Sequence, residues 1–90
     1  MNQELTLDAP VRYGTSFVEF IGGLDGKQQV FRIDASVFKE LLQIQRMDEV
    51  SMKTLFTAAP DHFLFVAARK LAEDGPSVTP ISLTLTDLLS

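Results

Sequence analysis

Ninety residues with a formal net charge of −4, eight basic side chains against twelve acidic ones and no basic cluster, make nucleic acid a poor partner. Affinity for a phosphate backbone comes from arrays of Lys and Arg. The absence of cysteine removes disulfides, thiolate nucleophiles and cysteine metal sites, and fits a reducing, cytoplasmic setting. A hydrophobic content of 46% supplies a core and argues against disorder, while a chain this short reads as one α+β domain over residues 1–90 whose limited burial favours self-association.

The opening, MNQELTLDAP, lacks the positive region and apolar stretch of a secretory signal. The longest apolar run, FLFVAA at 63–68, is too short to span a bilayer, so no membrane partner is expected. Within the N-terminal segment, ELTL at 4–7 and PVRY at 10–13 can supply a further strand.

The clearest local signal is SFVEFIGGLDGKQQVFRID at 16–34, two β-rich runs flanking Asp25-Gly26. That dipeptide favours a two-residue type I′ turn, because both central positions need positive φ. Positions summing to 51 then lie opposite each other: Ile21 with Val30, Phe20 with Phe31, Glu19 with Arg32 and Val18 with Ile33. Each pair matches aliphatic to aliphatic, ring to ring or acid to base. A bulge at Gly22-Gly23 is the one foreseeable disturbance. The register points Val18, Phe20, Phe31 and Ile33 to one face and Phe17, Glu19, Ile21, Val30 and Arg32 to the other. The second set, three apolar side chains around an ion pair, is an unusual solvated surface.

After Ile33 the spacing becomes helical. Asp34 is placed as an N-cap, with Val37, Phe38, Leu41, Leu42 and Gln45 following, and the helix is predicted to reach about Arg46. A second helix covers roughly Asp48 to Ala59 with Met52, Leu55, Phe56 and Ala59 on its apolar side. Pro60 interrupts the ladder and begins a third helix, since proline is tolerated in a first turn. That helix runs to about Glu73 with Phe63, Leu64, Ala67, Ala68 and Leu71 inward, and Gly75-Pro76 stops it. ISLTLT at 81–86 alternates strictly and reads as a half-buried strand.

Candidate chemistry is sparse. His62 is the only histidine, and its neighbour Asp61 points about 100° away on a helix, so the two form no dyad by adjacency. Asp61 is accounted for by the favourable field of a helix N-terminus. One histidine without cysteine cannot assemble the usual zinc sites. The adjacent acidic pairs Asp48-Glu49 and Glu73-Asp74 lie at predicted helix ends, where solvated charges are the ordinary outcome, so no metal is expected. GGLDG at 22–26 leads into a strand and lacks the lysine-serine ending of a phosphate loop. None of Ser16, Ser36, Ser51 or Ser77 occupies a nucleophile elbow. No catalytic residue and no cofactor are therefore expected.

Phe65 and Val66 fall off the predicted inward stripe of the third helix. With Phe17, Ile21 and Val30 they form the expected interaction surface, its partner a second copy of the chain or another protein. The rival reading is a small enzyme or ligand-binding domain using His62 with a carboxylate that the fold brings to it.

VFRID at 30–34, ASVFKEL at 35–41, LFTAAPDHFLFVAARKL at 55–71 and ISLTLT at 81–86 together resemble a family of short bacterial proteins of unknown function, domain-of-unknown-function family fourteen-eighty-eight. The resemblance spans most of the chain, implies a small α+β fold and carries over no catalytic residues. The expected architecture is an antiparallel sheet of three or four strands with two or three helices packed on one face.

Overall fold

Asp25 and Gly26 adopt φ of 53° and 79°, and the tight turn they make organises the sheet. Gly26 bears the more strained of the two positions, where a Cβ would be disfavoured. In the computed structural model, which describes residues 5–8 and 11–89, the turn joins β3 (Phe17–Leu24) to antiparallel β4 (Lys27–Asp34). The register runs unbroken from Phe17↔Asp34 to Leu24↔Lys27, every pair summing to 51, so Gly22-Gly23 introduces no bulge.

Two short strands share the free edge of β3. β1 (Thr6–Leu7) pairs with Gly23 and Gly22, and β2 (Arg12–Tyr13) pairs with Glu19 and Val18. The pairing sum rises from 29 to 31 between them, so two more residues separate Leu7 from Arg12 than separate Gly22 from Glu19. The N-terminal strand expected from the sequence is thus divided in two. Its expected end residues Glu4 and Pro10 lie outside the described residues. Gly23 lies directly beneath the Asp8 carboxylate, and a Cβ there would overlap it.

The opposite edge differs from the all-antiparallel expectation. β5 is only Ile81–Ser82 and runs parallel to β4, with Phe31↔Ile81 and Arg32↔Ser82 in register. A parallel neighbour requires a long crossover, here supplied by three helices: α1 (Ala35–Leu42), α2 (Glu49–Ala58) and α3 (Pro60–Asp74). Among the described residues the sheet therefore has five strands and is mixed, in the order β1-β3-β4-β5 with β2 also on β3. A fourth helix, α4 (Leu85–Leu89), takes the last two residues of the predicted 81–86 strand. Alternation holds only as far as buried Ile81 and Leu83. Thr84 then caps a helix: its N–H donates to Asp87 Oδ2 at 2.8 Å while the Asp87 N–H donates to Thr84 Oγ1 at 3.3 Å. This is a reciprocal capping box, and the T-x-x-D spacing that announces it outweighs the alternation.

Helix ends follow local chemistry. α1 stops at Leu42 rather than Arg46, with Gln43 left-handed at φ 56° and its N–H on the Lys39 carbonyl. The early stop lets the chain turn and insert Met47 into the core. Asp34 precedes α1 without capping it, its carboxylate pairing instead with Arg32 Nε at 3.0 Å. Asp48 does cap α2, accepting the Ser51 N–H at 2.7 Å. That bond, with the Ser51 hydroxyl, holds its carboxyl below the usual aspartate range. Pro60 begins α3, and the Gly75 N–H closes it on the Leu71 carbonyl.

The core lies between the Val18, Phe20, Phe31, Ile33 face of the sheet and the helices. Ring contacts pass without a break through the layers. Phe31 stacks on Phe20 with centroids 5.4 Å apart, Phe20 meets Phe56 of α2 at 5.1 Å, Phe56 stacks on Phe63 of α3 at 5.1 Å, and Phe63 meets Phe38 of α1 at 6.1 Å. Such pairs contribute roughly 0.5–1.5 kcal/mol each beyond their area.

Candidate functional site

Strand periodicity brings Phe17, Glu19 and Ile21 of β3 and Val30, Arg32 and Asp34 of β4 to the sheet face turned away from the core. Ile21 lies directly opposite Val30, and both are half-buried. Arg12 of β2 joins the same face opposite Glu19. Glu19 is the centre of its charge pattern, with Arg12 Nη1 at 3.3 Å and Arg32 Nη1 at 3.9 Å from its carboxylate oxygens. Arg32 also reaches Asp34 at 3.0 Å. Its guanidinium lies 4.2 Å from the Phe17 ring centroid, with that of Arg12 at 5.9 Å. Arginine thus covers part of the apolar surface with its own plane, a contact worth about 0.5–1 kcal/mol at an exposed site.

The residues expected to form one interaction surface divide into three groups. Phe17, Ile21 and Val30 are together on the uncovered sheet face. Phe65 lies on the outward side of α3, 64% exposed, with the Arg69 guanidinium 5.8 Å from its ring, so the protein core separates it from the other three. Val66 is 2% exposed and belongs to the core with Phe63 and Ala67, which removes it from any contact surface. The inward stripe of α3 is rotated by one step from the expected one: Val66 replaces Leu64, Ala68 and Leu71, which are half-buried, at its centre.

His62 is exposed in the first turn of α3, with its ring edge-on to Phe63 at 5.7 Å. Among the described residues no carboxylate hydrogen-bonds to or ion-pairs with it, and no group of three or more His, Asp or Glu side chains could hold a metal ion. No helix among them is long and apolar enough to cross a membrane.

Two features escaped the sequence reading. The first is Gln29, a polar residue on the core face that is only 6% exposed. Its amide donates to the carbonyls of Val30 at 3.1 Å and Thr79 at 3.3 Å, and its carbonyl accepts the Ser77 N–H at 2.8 Å, which fastens the 77–79 segment to β4. A glutamine in register with Gly22, at a position that should be apolar, was the available signal. The second is an apolar cleft of about 240 Å³ beside it, between the turn end of the hairpin and the last turns of α3. Leu5, Gly22, Leu24, Ala68, Leu71 and Ala72 form its walls, and Lys27 is the one ionisable residue among the described residues lining it.

No protein-family model matches the chain, and neither curated proteins nor solved structures yielded a match. The site residues therefore rest on geometry.

Proposed function

We infer that this chain is a non-enzymatic, cytoplasmic protein-interaction module that associates with a second copy of itself through the uncovered face of its sheet. The observation carrying this reading is the clustering of Phe17, Ile21 and Val30 on a face that no helix among the described residues covers, bordered by charges of both signs. Two arginines, Arg12 and Arg32, balance two carboxylates, Glu19 and Asp34, so the patch is neutral and can meet its own image across a two-fold axis. A dimer of ordinary size would cover about 800 Å² per partner, roughly a seventh of the 5900 Å² that the chain exposes.

The test is solution mass by light scattering coupled to size exclusion, over a wide concentration range. A dimer is expected for the natural chain, with Ile21→Lys and Val30→Glu each driving it to monomer while circular dichroism stays native. A natural chain that remains monomeric throughout overturns self-association. A dimer unaffected by either substitution overturns the choice of face.

A further inference from the structure

We propose that the cleft between the hairpin tip and α3 is a binding site for a small amphipathic carboxylate, a medium-length alkyl or arylalkyl acid with its tail inside and its head group on Lys27. This site lies on the helix side of the sheet and does not depend on the self-association reading.

The hollow arises because the chain uses small side chains where two layers diverge. Ala68 and Ala72 stand four residues apart on α3, hence on one face of it, and opposite them β3 presents Gly22. Leu5, Leu24 and Leu71 close the sides, with Pro76 at the end of the helix. At about 240 Å³ the space equals about eight water volumes, below the usual range for drug-sized ligands and suited to a chain of roughly eight to ten heavy atoms.

Polarity settles the head group. Gln29 is a lining residue, but its amide is spent on Val30, Thr79 and Ser77 and offers the cleft nothing. Gln28 is turned toward the Asp8 carboxylate, 3.3 Å away. Lys27 is left, in register with Leu24 and so directed to the helix side of the hairpin, and among the described residues its ammonium has no ion pair and no side-chain hydrogen bond. An uncommitted cation at the rim of an apolar cavity selects an amphipath with an anionic head over a neutral or cationic one.

The test is an amide-resolved NMR titration with octanoate, octanol and octyltrimethylammonium as probes. Octanoate should produce saturable shifts centred on Gly22, Leu24, Ala68, Leu71 and Ala72, with the neutral and cationic probes weaker. Lys27→Gln should reduce octanoate affinity about three- to ten-fold, to the level of octanol. Ala68→Leu should abolish the saturable shifts by filling the cavity. Ala72→Leu, at an exposed position that tolerates added bulk, should do the same at the mouth and keeps the test decisive if the deeper substitution fails to fold. Absence of saturable shifts, shifts centred on the outer sheet face, or equal affinity for octanoate and octanol in the natural chain would each overturn the proposal.

Discussion

Phe56 touches three other rings, Phe20 and Phe63 at 5.1 Å and Tyr13 at 6.4 Å, and is 1% exposed. Truncating it removes the contact between sheet and helices at its midpoint. Phe56→Ala should therefore cost about 3–5 kcal/mol, a large part of the roughly 5–13 kcal/mol that holds a domain of this length, and urea denaturation would read it as a lower midpoint. Tyr13, the only tyrosine, serves as a probe of the same region. Burial raises its phenol above 10.0, because the charged form loses its water. The fold thus favours the neutral ring, and the contribution, complete below the unfolded value, is lost as pH climbs through the higher native one. Phenolate absorbance should show a native midpoint above 10.0 that returns to the ordinary value in denaturant, and a native midpoint at or below 10.0 would contradict the packing described. At this scale the sequence was informative where register decides exposure, as for Phe20 and Ile21. It was misleading at Val66, because the rotation of a helix with apolar residues on several sides is settled by its neighbours.

α4 shows how an element of five residues is held. Its capping box ties Thr84 to Asp87, and the Lys70 ammonium of α3 reaches Asp87 Oδ2 at 3.3 Å. Burial alone would raise the Asp87 carboxyl, but the Thr84 N–H and hydroxyl together with Lys70 bring it below 3.8. Lys70 is correspondingly raised, chiefly by its hydrogen bond to Asp87. A depressed carboxyl stabilises the fold fully above its unfolded value and ceases to do so as pH falls through the lower native one. Asp87→Asn should then cost about 0.5–2 kcal/mol near neutrality, as the loss of a helix cap does, and melt the protein several degrees lower. The difference from the natural chain should shrink as pH falls below 3.8 and through the lower native value, where the natural chain also loses the charge. A thermal-melt difference that does not change with pH would sink this account. The two-residue β5 beside α4 leaves little unpaired edge, which limits open-ended strand addition.

The molecule as a whole exposes 5900 Å², whereas a monomer of 10.0 kDa exposes about 5,200 Å². Its principal extents, 39 × 26 × 24 Å, are those of an elongated body with one side of its sheet open. If that side is covered by a second copy, the melting temperature rises with protein concentration, since association draws on the folded state alone. The Ile21→Lys variant should lose that dependence. The turn at Asp25-Gly26, the full β3–β4 register, the restart of the helix at Pro60 and the α+β class were legible in the amino-acid order. Each is set by contacts among residues near in the chain: positive φ at a turn, alternation across a hairpin, a missing N–H in a first helical turn. Long-range packing instead set the parallel pairing of Ile81–Ser82 with β4, the helical segment after Thr84, the separation of Phe65 from Phe17, and the cleft at Lys27. These depend on which distant surfaces meet after the three-helix crossover, and the energies that choose among those meetings are sums over many contacts that no short window of sequence contains.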